Sequence, residues 1–307
     1  MSWVTEISQP ILLATAAAKA RKGRRRARGR NIATYTFLFM VALFFCLPLY
    51  VIVVTSLKSM DEIRQGNIFA LPHTIDTGAW SYAWLEACVG FQCGGMEAGF
   101  LNSVFIVIPA VLMAIGVSAV TGYALALWNV RWANSFLFAL FICAFVPFQI
   151  IMFPLIKMTS AMGVHGSTFG VGLIHAVLHM PILTLMFTNY YRDIPRELMS
   201  AAMVDSGKFW RIFREIILPM STNIMIVVLI MVVTNVWNDF LVGLIFGNKD
   251  SQPMTTILNA LANAPTGTAE YNVYMAAALE TALFPLLIYF VLGRFFVQGI
   301  SAGAIKG

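Results

Sequence analysis

Five polar or aromatic side chains interrupt the apolar stretches in the second half of the chain: Asn235, Trp237, Asn238, Asp239 and Glu280. Amides and carboxylates hydrogen-bond to hydroxyl groups, and an aromatic face covers ring carbons, so the set suits a hydroxyl-rich solute. Ionisable groups within apolar segments are costly and usually face a cavity or a partner. The same groups could instead be hydrogen-bond partners between helices. The set is therefore a candidate substrate path.

No catalytic constellation is recognisable in the chain. Neither a Ser/His/Asp set nor paired carboxylates occur at a convincing spacing. A phosphate-binding loop is missing, because Gly207-Lys208 is followed by Phe209 and lacks the upstream glycine. His175 and His179 share a helical face without a third ligand, which favours packing over a metal site. We expect no enzyme, metal or cofactor in this chain.

The four cysteines divide by location. Cys88 and Cys93 lie in a polar stretch, where an oxidising outer face would favour a disulfide. Two free thiols are the alternative, and zinc is disfavoured because no second Cys or His pair lies nearby. Cys46 and Cys143 fall within apolar stretches, and we expect them to be buried packing residues.

The elements that carry these residues are predicted to be membrane helices. Of 307 residues, 59% are hydrophobic and 11% are charged, whereas a soluble domain has about 25% charged residues. Six apolar runs are each long enough to cross a hydrocarbon core of about 30 Å as a helix. The predicted spans are 34–57, 104–127, 136–156, 169–191, 223–246 and 273–296. This predicts an all-α polytopic membrane protein, with 58–99 and 248–272 as outer loops.

Basic residues assign an orientation to the spans. Sixteen of the 20 lysines and arginines lie in segments assigned to one side, including the cluster from Lys19 to Arg30 before the first span. Because basic residues concentrate on the cytoplasmic side, we expect both termini to be cytoplasmic. The apolar stretch 11–18 precedes the cluster, which disfavours a signal peptide. Membrane topology and attraction to anionic lipid explain the basic cluster better than nucleic-acid binding does.

The segment 192–220 is polar but has the pattern of helices. Pro195 and Glu197 suit a helix N-terminus, and Asp205 can cap a second helix that ends at Pro219. Apolar residues at spacings of three and four predict two short helices with a turn after Asp205. The pair either presents its small residues to another protein or rests on lipid as an amphipathic hairpin.

This segment also carries a specific resemblance. The sequence from Glu197 to Gly207, continued to Pro219, resembles the EAA loop of binding-protein-dependent ABC permeases. Ser200 stands where that family usually has glutamate, and Ser206 stands where it usually has glycine. In the family the loop forms coupling helices that dock into a cleft of the ATP-binding subunit. The resemblance thus implies ATPase-coupling roles for Glu197, Ser200, Ala201, Ala202, Asp205, Ser206, Gly207, Ile216, Leu218 and Pro219.

Other segments resemble carbohydrate-uptake permeases of the maltose-importer type. They include Pro48 to Lys58, Val146 to Gln149, Trp237 to Phe240 and the tail from Gly299 to Gly307. The tail is similar to that of one of the two permease subunits of such importers, which implies an ATPase contact through Gly303 and Lys306. By composition alone, a disordered tail is also plausible. The cysteine segment and Glu270 to Val273 resemble permeases for glucose or mannose.

The resemblance implies a type I ABC importer permease fold and a set of partners. These are a second permease subunit in a heterodimer, two ATP-binding subunits that hold ATP and Mg, an extracytoplasmic sugar-binding protein and membrane lipid, but no nucleic acid. The expected parts are a cytoplasmic segment 1–32, a permease domain 33–298 with coupling loop 192–219, and a cytoplasmic tail 299–307.

The implied function is import of a sugar, such as the monosaccharides glucose or mannose, across a bacterial inner membrane. An ion-coupled secondary transporter for a small polar solute is the alternative. It would share the composition and the polar residues within spans, but it would not need an ATPase-docking loop.

Overall fold

The computed structural model describes residues 31–89, 92–205, 207–263 and 269–304, with side chains left out at 89, 92 and 294–304. The basic cluster from Lys19 to Arg30 lies outside these residues. Two strands form a short hairpin, and all other regular elements are helices, which confirms the all-α prediction. In chain order the elements are α1 (Asn31–Ser56), α2 (Met60–Arg64), α3 (Gly78–Leu85), β1 (Cys88–Val89), β2 (Gln92–Cys93), α4 (Gly95–Leu127), α5 (Ala133–Ala144), α6 (Phe148–Ala161), α7 (Thr168–Arg192), α8 (Arg196–Asp205), α9 (Phe209–Ile212), a π-helical turn (Phe213–Ile217), α10 (Leu218–Met220), α11 (Thr222–Asn238), α12 (Leu241–Phe246), α13 (Met254–Ala262) and α14 (Tyr271–Ala304).

Four described helices are long and apolar enough to cross a membrane: α1, α4, α7 and the part Tyr271–Gly293 of α14. Two more candidates are bent pairs. Helix α5 meets α6 at 101°, and the helix Phe209–Met220, formed by α9, the π-helical turn and α10, meets α11 at 77°. Four of the six predicted runs thus coincide with continuous helices, and the run 136–156 coincides with the bent pair α5 and α6. The run 223–246 covers α11 and the following helix α12 instead of the pair Phe209–Met220 and α11.

The breaks have local causes. Pro147 is the N-cap of α6, and proline has no backbone N–H with which to continue the hydrogen bonds of α5. The predicted span 223–246 ends as a helix at Asn238, because Asp239 is extended, with φ −71° and ψ 134°. Its last part forms the separate helix α12.

The two predicted outer loops also contain helices. The stretch 58–99 holds α2, α3, the hairpin and the beginning of α4, and 248–272 holds α13. Pro253, which suggests a loop, is the N-cap of α13. Ala83, Met254 and Leu261 from these stretches are buried in the core. Short helices therefore lie between the long apolar runs and pack on the core, because they need no long apolar run themselves.

Helices α4 and α7 pack along most of their length and form the centre of the core. Glycines permit this close approach. A Cβ atom on Gly122 would lie 2.7 Å from the Cβ atom of Phe187, and one on Gly172 would lie 2.8 Å from the carbonyl oxygen of Ile106. Real Cβ atoms do not approach so closely, so these two positions set the α4/α7 distance.

Helix α1 differs from this core. Only 6% of its apolar window is buried, and Phe37, Phe44 and Phe45 are more than 60% exposed within the chain. Cys46 on α1 and Cys143 on α5 are likewise exposed. The expectation that these two cysteines are buried was wrong, because an apolar membrane helix can face lipid or a partner instead of its own chain.

The hairpin of β1 and β2 joins α3 to α4. Cys88 and Cys93 are directly paired across its strands and are disulfide-bonded. The carbonyl oxygen of Ala87 accepts hydrogen bonds from the backbone N–H groups of Gly94 and Gly95. Gly95 has φ +57°, and a Cβ atom there would lie 2.1 Å from the carbonyl oxygen of Trp84. A glycine is therefore required where α4 begins.

Candidate functional site

The segment 192–220 forms two helices joined by a short turn. Helix α8 begins at Arg196, directly after Pro195, and ends at Asp205. Gly207 has φ +60°, and the next helix begins at Phe209 with Lys208 as its N-cap. The expectation that Asp205 caps the second helix was wrong, because the reversal at Gly207 places the cap three residues later. The predicted end at Pro219 is displaced by one residue, to Met220.

The end of this segment is fixed to α7. The hydroxyl group of Tyr190 donates a hydrogen bond of 2.8 Å to the carbonyl oxygen of Met220. At the bend into α11, Ser221 is fully buried, and its Oγ atom lies 3.3 Å from the hydroxyl oxygen of Tyr191 and 2.5 Å from the carbonyl oxygen of Ile217. The two tyrosines therefore hold the bend against the C-terminal end of α7.

The beginning of the second helix is fixed to α4. The hydroxyl group of Tyr123 donates to the carbonyl oxygen of Phe209 over 3.3 Å. Ring centroids of Tyr123 lie 4.7 Å from Phe209 and 5.3 Å from Phe213, and Trp128 packs on Phe209 at 5.1 Å. One segment is therefore tied to α4, α7 and α11.

The residues with predicted coupling roles lie mostly on the surface of the segment. Ala202 is buried, and Ile216 and Leu218 are half-buried. Ser206 lies outside the described residues. The exposed members of the set are Glu197, Ser200, Ala201, Asp205, Gly207 and Pro219.

A small cleft separates α8 from the second helix. It has a volume of about 170 Å³, and it is lined by Ala202, Asp205, Arg211, Ile212, Glu215 and Ile216. The Nε atom of Arg211 lies 3.0 Å from Oε2 of Glu215. Sequence reasoning missed this ion pair, although opposite charges four residues apart on a predicted helix indicate such a contact.

The candidate path residues on α11 separate into two groups. Asn235 and Asn238 are exposed on this helix. Asp239 is half-buried, and its Oδ1 accepts a hydrogen bond of 2.7 Å from the backbone N–H of Val242. The Nε2 atom of His175 lies 3.9 Å from the same oxygen. Asp239 therefore stabilises the beginning of α12, and the two asparagines are open to a ligand or partner.

Trp237 and Glu280 are both buried. Trp237 is 1% exposed, stacks on Phe284 with centroids 3.9 Å apart and donates from Nε1 to the carbonyl oxygen of Thr281. These are the contacts of a packing residue, so Trp237 does not line an open path in this conformation. Glu280 is 9% exposed, and its Oε2 atom has no hydrogen-bond partner within the described chain.

Two other predicted features remain, the histidine pair on α7 and the C-terminal tail. His179 places Nδ1 2.7 Å from the carbonyl oxygen of His175, a contact within α7.

Gly303 lies near the end of α14, whose backbone continues through the expected domain boundary at 298. Lys306 lies outside the described residues. Helix α14 has 34 residues, or about 50 Å at 1.5 Å per residue, so it is longer than a membrane core is thick.

Comparisons with known proteins agree with this architecture. The family model of the binding-protein-dependent transport system inner membrane component matches residues 118–302. A solved bacterial ABC transporter involved in the import of the acidic polysaccharide alginate has a chain with TM-score 0.75 and 18% identity, covering 88% of this chain and 97% of that one. This likeness confirms the predicted permease fold.

Individual relatives extend the comparison. A probable ABC transporter permease protein of Pyrococcus horikoshii is 40% identical over 53% of this chain and 59% of its own length. The osmoprotective compounds uptake permease protein GgtD of Synechocystis is 28% identical, and the xylose/arabinose import permease protein XacI of Haloferax volcanii is 26% identical. Each of these two covers 90% of this chain and 93% of the relative. Because the family model matches more than half of its residues, this chain belongs to the inner membrane components of binding-protein-dependent transport systems.

Proposed function

We propose that this chain is a permease subunit of an ATP-driven carbohydrate importer and forms one half of its translocation pathway. Relatives named for import of xylose and arabinose, of arabinooligosaccharides and of glucose support a sugar as the substrate. The glucose import permease GlcU of Saccharolobus solfataricus is 26% identical over 89% of this chain, which fits a monosaccharide such as glucose or mannose. The chain is not an ATPase in this proposal, and separate subunits bind ATP and Mg.

The observation that carries the proposal is the exposed helix pair of the segment 192–220. Its cleft is lined by Ala202, Ile212 and Ile216 on one hand and by Asp205 and the Arg211–Glu215 ion pair on the other. Such a surface offers both apolar and charged contacts to another protein. An ATPase bound there would move α8 and the second helix together. The contacts of Tyr123, Tyr190 and Ser221 would then pass this movement to α4, α7 and α11.

The proposed assembly contains a second permease in a heterodimer, two ATPase subunits and an external sugar-binding protein. The exposed apolar surface of α1 and the exposed amides of α11 support a partner within the membrane, because both are left uncovered by this chain. Both termini are cytoplasmic in this arrangement, and the C-terminal residues Gly303 and Lys306 contact the ATPase.

Asn235 and Asn238 are the residues we assign to the sugar path. Amide groups on an exposed helix face can exchange hydrogen bonds with sugar hydroxyl groups during alternating access, in which the two halves rock about a central site. Trp237 stacks on Phe284, and Asp239 accepts a hydrogen bond at the beginning of α12. Both contacts stabilise the end of α11 that carries the two amides. The unpartnered oxygen of Glu280 is a further acceptor on α14.

Co-purification with the ATPase tests the coupling surface. Ala201 is exposed on α8, so Ala201→Glu adds charge and bulk at the contact without disturbing the core. We expect the ATPase to be lost from the purified complex. Ala262→Glu, at an exposed helical alanine in α13, is the matched control and should keep it. Retention of the ATPase by both variants would contradict the proposal.

A transport assay separates the proposal from an ion-coupled transporter. Vesicles that contain the whole complex and ample ATP should take up sugar in the presence of a proton ionophore. Uptake abolished by the ionophore alone would favour the ion-coupled alternative.

A further inference from the structure

A cationic surface of the segment 192–220, which shares only Arg211 and Glu215 with the cleft described above, is not explained by the proposed function. We propose that it binds one anionic phospholipid, with the phosphate at Lys208 and Arg214 and one acyl chain in an apolar groove between α4 and α11. The site goes beyond sugar transport and ATPase coupling, and its ligand belongs to the membrane itself.

The headgroup pocket has a volume of about 560 Å³ and is lined by Lys208, Phe209, Trp210, Arg211, Arg214 and Glu215. Its single carboxylate is already paired with Arg211 at 3.0 Å. No described carboxylate lies within ion-pair distance of Lys208 or Arg214, and the guanidinium of Arg214 lies 5.9 Å from the Trp210 ring centroid. Two exposed cations thus remain available to an anion.

The neighbouring groove is apolar. It has a volume of about 550 Å³, and the residues that line it include Val111, Ile115, Leu218, Thr222, Met225 and Leu229. Its wall is open at Gly116, where an added Cβ atom would meet no atom within 4 Å. Most of the lining is hydrocarbon, so an acyl chain fits it better than a polar solute would.

One helix connects the headgroup pocket to the apolar groove, and it lies where the headgroup region of a bilayer is expected. Arg214 precedes Leu218 by four residues, or about 6 Å along a helix. The helix Phe209–Met220 meets α11 at 77°, so it runs nearly along the membrane surface when α11 crosses the bilayer. Trp210 is 54% exposed there, and tryptophan is enriched at membrane interfaces. A phosphate at Arg214 would leave its acyl chain beside Leu218 and Met225.

Charge complementarity selects the class of lipid. Lysines and arginines near the cytoplasmic leaflet attract anionic headgroups, and basic pockets at membrane helices bind them. A zwitterionic lipid would bring a second cation next to Lys208 and Arg214. The occupant is therefore an anionic phospholipid such as phosphatidylglycerol.

The test compares lipid retention by the full-length chain in detergent, measured by native mass spectrometry with phosphatidylglycerol and phosphatidylcholine of equal chain length. Wild type should retain phosphatidylglycerol preferentially. Lys208→Gln with Arg214→Gln should reduce that retention by roughly thirtyfold, since each basic residue contributes about 1 kcal/mol. The charge-matched control, Lys157→Gln with Lys249→Gln, removes two exposed lysines outside the pocket and should retain the preference. Arg214→Lys should also retain it.

Met225→Trp tests the acyl-chain groove separately. It should lower retention of phosphatidylglycerol while the melting temperature stays close to that of wild type, because Met225 is only half-buried and lines an open groove. An unchanged preference in the Lys208/Arg214 double variant would overturn the proposal. Displacement of the lipid by glycerol 3-phosphate would also overturn it, since a free phosphate would then suffice. So would loss of ATPase co-purification with unchanged lipid retention, because the surface would then be a protein contact.

Discussion

Helices α1 and α4 are both apolar and long enough to span a membrane, but only one of them is packed within the chain. In α4, 44% of the apolar window is buried, compared with 6% in α1. The difference lies in small residues, since α4 carries Gly122 at its contact with Phe187. An apolar sequence therefore places a helix in the membrane, whereas small residues determine whether that helix packs in the core of the chain.

The largest effect is expected from a substitution at the contact between α4 and α7. Gly122→Leu would force atoms into a seam where even a Cβ atom lies 2.7 Å from Phe187 and 3.0 Å from the backbone nitrogen of Thr188. We expect a loss of at least about 3 kcal/mol in unfolding free energy, at the upper end for overpacked cores. Thermal unfolding in detergent measures it.

A leucine introduced on α1 is the control for the substitution at the α4/α7 contact. Ala42→Leu adds the same type of side chain at an exposed position, so the melting temperature should stay within about 2 °C of wild type. Equal destabilisation by both variants would show that small residues do not distinguish the two helices.

The second prediction concerns the aromatic cluster behind the candidate path. Trp237→Ala removes a 1% exposed ring, its stack on Phe284 and its hydrogen bond to Thr281. We expect a loss of about 3 kcal/mol, as for other buried tryptophans. Phe44→Ala on α1, where the ring is 71% exposed, should cost less than about 0.5 kcal/mol. Similar melting temperatures for the two variants would argue against a packing role for Trp237.

An intermediate effect is expected at the hairpin of β1 and β2. Cys88→Ser with Cys93→Ser opens a bonded pair separated by five positions, and closing so short a loop contributes about 2 kcal/mol in the chain-entropy model. Unfolding should be easier for this variant and for reduced wild type, to a similar extent. If reduction lowers the melting temperature of the serine variant as well, the effect does not come from this disulfide.

The smallest effect on stability is expected at the uncovered amides. Asn238 is exposed on α11, so Asn238→Leu should change the unfolding free energy by less than about 0.5 kcal/mol. Sugar uptake by the assembled transporter should fall by about tenfold, because one hydrogen-bonding group on the proposed path is lost. Normal uptake would remove Asn238 from the path and leave it as a contact to a partner.

The positions of helices were predictable from the chain to differing degrees. The continuous spans α1, α4, α7 and α14 follow from apolar runs, because a bilayer requires about 20 apolar residues. Their ends were less predictable. Helix α4 begins nine residues before the predicted span, at Gly95, because hydropathy does not show where a helix continues beyond the membrane core. The bend at Pro147 leaves only a local sign, a single proline.

The candidate site was predictable in kind but not in arrangement. Two short helices in 192–220 were expected from periodicity, and the structure contains them. The pair Arg211 and Glu215 lies outside the coupling pattern, although its spacing of four residues indicates a contact on one helical face. Trp237 could not be distinguished from the neighbouring asparagines by sequence, since all three interrupt an apolar run and only their facing directions differ.

The amino-acid sequence by itself determined that this is a membrane protein, how many apolar runs it has and to which family the 192–220 segment points. These follow from composition and local spacing, which act over one or two helical turns. Only the tertiary structure decided which apolar helix is buried, which polar residue is open and which cations remain unpaired. Such properties depend on contacts between residues far apart in the chain, such as Gly122 with Phe187 and Trp237 with Thr281.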